Sequence, residues 1–157
     1  MPKKALHFVI LSITSCFGLG FLPFIPGTFG SLAGLFLYYL LRYNTGIHLL
    51  VTILILLLGF FLSGVSERIL NKKDARCIVI DEVGGMLISF LFLPYDIKFL
   101  IIGFFLFRLF DCLKPYPVGR LERLKGGIGV MSDDIIAGIY ANIVLQLVFR
   151  LASFKIS

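Results

Sequence analysis

"IHLLVTILILLLGFFLSG", Ile47 to Gly64, is the stretch on which the fold turns. Its 18 residues contain no Asp, Glu, Lys or Arg, and the charge-free run around it extends over 24 residues, from Tyr43 to Ser66. An apolar stretch of about 20 residues matches the hydrocarbon thickness of a bilayer. The whole chain leans the same way, at 59% hydrophobic, 15% charged and a mean hydropathy of +1.00. A soluble domain is roughly half apolar and about a quarter charged. Ala5 to Leu41 also lacks acids, lysine and arginine, although Pro23, Pro26 and several glycines interrupt it. Lys3 and Lys4 before an apolar run imitate a signal peptide. No small-x-small cleavage site follows, however, and "GFLPFIPGTFG" reads as structural, so the N-terminus is expected to be retained.

The net charge of +6 is distributed in clusters: Lys3/Lys4, then Arg68, Lys72, Lys73 and Arg76, then Lys114, Arg120, Arg123 and Lys125. All three flank apolar segments, which is the positive-inside pattern of a membrane protein and argues against nucleic acid as a partner. Cys16, Cys77 and Cys112 show no metal-binding spacing and read as small apolar fillers. Apolar segments are expected at about 6–20, 31–43, 47–66, 84–93, 99–113 and 132–152, with Ser132 as the N-cap of the last after a polar loop. Turns near Asn44-Thr45-Gly46 and Pro94-Tyr95-Asp96 would place both hairpin tips on the outer side, if the basic clusters are cytoplasmic. The C-terminus would then also lie outside. Residues 6–20 then read as re-entrant or interfacial, and 84–93 and 99–113 are short against the ~20 residues of a spanning helix. The expectation is an all-α, compact polytopic membrane bundle with short or re-entrant segments, formed by residues 1–157 as a single domain.

Five of the nine acidic residues occupy three places: Asp81-Glu82, Asp111 and Asp133-Asp134. Each is a boundary of an apolar segment, and all three boundaries fall on the cytoplasmic side of the expected topology. Taken pair by pair, acids at a helix start complement the helix dipole. Asp111 fits that account poorly, because it stands at a helix end. Taken together, five acids at one depth would repel one another unless a cation sat among them. Oxygen ligands without histidine or thiolate suit Mg²⁺.

Two further patterns surround the acids. Asp134, Gly138, Asn142 and Gln146 recur every four residues, a small and polar stripe on an apolar helix. Close helix packing and an interhelical hydrogen bond account for Asn142 and Gln146, and Asp134 would point into the bundle. In "GFLPFIPGTFGS", Gly20 to Ser31, a Pro26-Gly27-Thr28 turn with Gly30-Ser31 opening a helix offers backbone N–H groups and the hydroxyls of Thr28 and Ser31 to a phosphate. It is not a Walker A loop, since no Gly-Lys-Ser/Thr follows.

"LPFIPGTFGS", "IDEVGG", "FRLFDCLKPYP" and "GIGVMSDDIIAGIYAN" resemble, in order, the signature blocks of the phosphatidylglycerophosphatase A family, over roughly residues 18–142. The resemblance implies a Mg²⁺-dependent phosphatase of the bacterial inner membrane, with phosphatidylglycerophosphate as its phospholipid substrate. It implies a metal and catalytic centre of Asp81, Glu82, Asp111, Asp133 and Asp134. Arg108 and Lys114 match the family's basic positions, and Gly27, Thr28 and Ser31 fall in its N-terminal block. The family commonly carries tryptophan where this chain has Tyr116.

On that reading Arg108 would clamp phosphate as a bidentate fork and Lys114 as a point charge. A carboxylate not bound to metal, Asp134 or Glu82, would be the general base. Arg108 and Asp111, three residues apart on one helix face, would pair when no substrate is bound, and Pro115 would end that helix. His7 and His48 lie in apolar stretches away from the motifs, and no Cys-x5-Arg is present, which disfavours other phosphatase chemistries. Two alternatives use similar residues: a small cation transporter or channel, and a metal-dependent phospholipid phosphatidyltransferase. The transporter would spread polar groups through the midplane, and the transferase signature of an Asp-Gly start with later aspartates on one helix is absent.

Overall fold

The computed structural model describes residues 3–73, 75–114, 116 and 126–154. Pro115, Arg120, Arg123 and Lys125, to which the sequence reading gave roles, lie outside the described residues. The described residues form α-helices with one short 3₁₀ turn at Leu19–Phe21 and no strand. The helices are α1 (Lys3–Thr14), α2 (Pro26–Leu41), α3 (Thr45–Leu70), α4 (Ile80–Ser89), α5 (Ile97–Leu113) and α6 (Gly127–Phe154).

The helix starts have local causes. Pro26 opens α2, its fixed φ suiting the first helical position. Asn44 Oδ1 accepts the Ile47 N–H at 3.0 Å to start α3, and Asp96 Oδ1 accepts the Lys98 N–H at 2.7 Å to start α5. α2 thus begins five residues ahead of the expected 31, which turns the Pro-Gly-Thr loop into a helical first turn. α6 begins at Gly127 rather than Ser132. Ser132 caps nothing: it sits inside the helix with its hydroxyl donating to the Ile128 carbonyl, one turn back. The glycines of "GIGV" read as loop from the sequence, yet Gly127 lies directly against the Phe60 backbone, where only a residue without a side chain fits.

α3 and α6 are long and apolar enough to cross a membrane, and only 22% and 28% of their most apolar windows are buried. α3 faces outward through Leu50, Ile53, Leu54, Leu57, Leu58 and Phe61, and buries His48, Thr52, Gly59, Ser63 and Ser66. A water-soluble helix buries its apolar stripe. Here the apolar face is outside and the small and polar face inside, the arrangement of a helix whose surroundings are lipid. Exposed Ile139, Ile143, Leu147 and Leu151 repeat the pattern on α6.

Short α4 occupies the centre, packed against α2, α3, α5 and α6, and every residue in it except Glu82 is buried. Its core neighbours include Tyr38, Leu100, Phe107, Ala137, Ala141 and Leu145. A helix ending inside the bundle leaves carbonyls without partners. The polar stripe of α6 satisfies them: Asn142 Nδ2 donates to the Ser89 and Leu91 carbonyls at 3.0 and 2.9 Å, and Gln146 Nε2 to Leu91 at 3.2 Å. One turn earlier a Cβ on Gly138 would strike the Gly85 carbonyl, so α4 and α6 touch backbone to backbone.

The two hairpin tips meet at one end. The Arg42 guanidinium lies 3.8 Å over the Tyr39 ring, 4.1 Å over Tyr43 and 5.1 Å over Tyr95. The starts of α2 and α4 and the end of α5 gather at the opposite end.

Candidate active site

Four helices contribute to a cavity of about 410 Å³ at that opposite end. The first turn of α2 supplies Pro26, Gly27 and Thr28, and the first turn of α4 supplies Asp81 and Glu82. The last turns of α5 supply Arg108 and Asp111, with Lys114 at its end, and α6 supplies Asp133 and Asp134. All five acids singled out in the sequence therefore border one cavity, along with both basic residues.

Their arrangement is not uniform. Asp81, Glu82 and Asp134 each offer an oxygen within 4.8 Å of the others. Asp111 is instead paired with Arg108, Oδ2 to Nη1 at 2.6 Å, the i, i+3 pair expected on one helix face. Asp133 is paired with Lys114, Oδ2 to Nζ at 3.2 Å. Lys114 ends α5 in the left-handed region, φ 44°, unusual for a residue with a side chain.

The helix-dipole account survives only for Asp81 and Glu82, which do stand in the first turn of α4. Asp133 and Asp134 lie well inside α6, whose first turn holds no acid. Among the described residues, Glu82 Oε2, Asp133 Oδ1 and Asp134 Oδ1 are buried oxygens with no hydrogen-bond partner. Burial raises the Asp81 carboxyl well above the ordinary range, and the charge of Glu82 adds to the rise. Burial also raises Glu82, against a hydrogen bond with Asp81 that opposes the rise. Asp81, Glu82 and Asp134 are placed so that they could hold a cation among them.

Gly27 lets the Glu82 carboxylate approach α2 closely. A Cβ there would fall on Glu82 Oε1, with Arg108 Nη1 3.4 Å away. Thr28 borders the cavity. Ser31 does not: it is fully buried, and its hydroxyl donates to the Gly27 carbonyl at 3.0 Å, one turn back along α2. His48 is also remote, its Nε2 3.1 Å from the Leu87 carbonyl. Arg76, from the loop between α3 and α4, borders the cavity too. The sequence offered it only as one member of a basic cluster, and nothing in its spacing connects it to the acids.

An inside-out helical bundle with a cavity of acids and cations at one end suits a membrane-associated protein with a polar site. Comparison supplies the family. A family described as phosphatidylglycerophosphatase A matches residues 12–149, and the chain belongs to that family. It is therefore a lipid phosphatase. It is 40% identical to the phosphatidylglycerophosphatase A of Haemophilus influenzae, over 82% of this chain and 82% of that one. The Escherichia coli phosphatidylglycerophosphatase A is 36% identical over 84% of this chain and 78% of its own. A Bacteroides thetaiotaomicron protein named "Putative phosphatidylinositol-3-phosphatase" is 36% identical over 92% and 96%. No solved structure matches the chain.

Proposed function

We propose that the cavity hydrolyses the phosphomonoester of phosphatidylglycerophosphate to phosphatidylglycerol and phosphate, with Mg²⁺, at the cytoplasmic face of the bacterial inner membrane. One observation carries the reading: the oxygens of Asp81, Glu82 and Asp134 converge in the cavity that also holds Arg108 and Lys114. The donor set fits a hard divalent cation, being all oxygen, and the partnerless oxygens of Glu82 and Asp134 are what such an ion would satisfy. Asp81 and one of Glu82 and Asp134 would hold it, with Asp111 and Asp133 beside them. When bound, it supplies phosphate charge neutralisation and a more acidic water.

The chain's own groups do the rest. Arg108 and Lys114 exchange Asp111 and Asp133 for phosphate oxygens, so binding costs no new desolvation of a bare cation. The N-terminus of α2, with the Gly27 amide and the Thr28 hydroxyl, lies at the same cavity and favours an anion. Whichever of Glu82 and Asp134 is not engaged by the cation accepts the proton of the attacking water. The new P–O bond forms as the ester P–O bond breaks, and the proton passes to the leaving glycerol oxygen. Lys72 and Arg76 border this end, and a basic loop suits the cytoplasmic leaflet.

The test is phosphate release by purified protein in mixed micelles, with Mg²⁺ and then with chelator. Phosphatidylglycerophosphate should be turned over only with Mg²⁺, and Asp134→Asn should lower kcat by at least a hundredfold. Chelator-resistant release, or full activity in Asp134→Asn, overturns the assignment. Faster turnover of phosphatidylinositol 3-phosphate would replace the substrate and keep the site.

A further inference from the structure

A second cavity, of about 400 Å³, adjoins the first and shares Phe24, Pro26 and Arg76 with it. Lys72 borders this second cavity as well, and so does Phe21. The two spaces differ in chemistry. The first is ringed by five acids, and its cations Arg108 and Lys114 are each held by one of them. The second has no acid among its described lining, and Arg76 makes no ion pair with a described carboxylate. Arg76 is exposed in the short loop ahead of α4, at the junction of the two.

The apolar rim of the junction is also unusual. Phe24 is 94% exposed and is held at φ 81°, a left-handed conformation that costs a residue with a side chain. Phe21 and Leu22 beside it are 59% and 39% exposed. A guanidinium that pairs with no described carboxylate, between an acid-ringed cavity and an apolar rim, matches a ligand with three consecutive parts. These are a terminal phosphate, a second phosphate one short linker away, and a hydrocarbon tail.

We propose that Arg76, with Lys72, forms a second anionic subsite that binds the phosphodiester of the lipid substrate, next to the cavity that takes its phosphomonoester. The inference rests on the phosphatase reading above and deepens it, because it makes substrate choice depend on a diester placed one linker from the scissile phosphate. Arginine suits the task, since its planar fork grips phosphate oxygens and keeps its charge at every working pH.

The test compares wild type with Arg76→Ala and Arg76→Lys in mixed micelles with Mg²⁺. Three quantities are read: KM and kcat for phosphatidylglycerophosphate, and the inhibition constants of phosphatidylglycerol and of inorganic phosphate. The first inhibitor carries only the diester and the second resembles only the monoester. Arg76→Ala should raise KM and the phosphatidylglycerol constant on the order of tenfold, the loss of one charge-assisted contact. kcat and the phosphate constant should stay as in wild type, and Arg76→Lys should recover part of the loss. An unchanged KM, or a phosphate constant that rises in parallel, overturns the proposal. Wild type inert toward phosphatidylglycerophosphate would instead overturn the phosphatase reading, a different result from either.

Discussion

Replacing Gly27 by alanine separates activity from stability, because the site and the helix respond in opposite directions. The new Cβ would overlap Glu82 Oε1 and touch Arg108 Nη1 at 3.4 Å. Ordinary contact requires the Glu82 carboxylate to retreat by roughly 1 Å, which the end of a side chain can do without moving backbone. A displacement of that size in a catalytic group is worth about a hundredfold in rate. The helix gains meanwhile: Gly27 lies in the first turn of α2, and alanine there stabilises by up to about 1 kcal/mol through lower unfolded-chain entropy. kcat/KM with phosphatidylglycerophosphate and thermal unfolding by circular dichroism, both in the same detergent, measure the two effects. The expected pair is a fall near a hundredfold with Tm unchanged or slightly raised. Wild-type activity would refute the reasoning about the cavity, and a lost activity that tracks a lowered Tm would refute it as well. Because the two residues touch, combining Gly27→Ala with Glu82→Gln should cost less than the sum of the single losses.

Two further outcomes concern stability. Burial raises the carboxyls of Asp81 and Glu82 in the folded protein. A raised acid contributes stability that is complete below the unfolded value, near pH 4, and is lost as pH climbs through the folded value. Chelator-treated protein should therefore lose more Tm than Asp81→Asn does between about pH 4 and 8, and Mg²⁺ should remove the difference. A wild-type slope shallower than that of Asp81→Asn would contradict this. Asn142→Ala strips the Ser89 carbonyl of its side-chain donor inside the bundle and should cost about 1 to 3 kcal/mol. Gln146→Ala should cost less, since the Leu91 carbonyl keeps Asn142. Unfolding in a detergent or denaturant series would rank them, and equal costs would discount the capping role.

Local pattern was enough wherever the physics was local. The Ile47–Gly64 run announced its helix by length and apolarity alone, and the Arg108–Asp111 pair followed from a spacing of three on one helix face. Asn44 and Asp96 marked their turns because short polar side chains cap the helix that follows. The start of α6 is hidden in the sequence for the complementary reason. Ser132 followed by two aspartates imitates an N-cap, and only the packing of Gly127 against Phe60 shows that the helix is already running. Ser31 likewise reads as facing a phosphate from the sequence, but the start of α2 five residues earlier turns its hydroxyl back onto the Gly27 carbonyl.

The sequence by itself determined that the chain is helical and apolar enough to suit lipid, and that five of its nine acids are grouped at three places. These follow from composition and periodicity, which act residue by residue. Tertiary structure decided which acids converge. Asp81, Glu82 and Asp134 come together while Asp111 and Asp133 are claimed by cations, because α4 is short, buried and pressed backbone to backbone against α6 at Gly85 and Gly138. It also decided the place of Arg76. That residue meets the acids only through the loop geometry ahead of α4, and contact across a fold leaves no periodic trace in the chain.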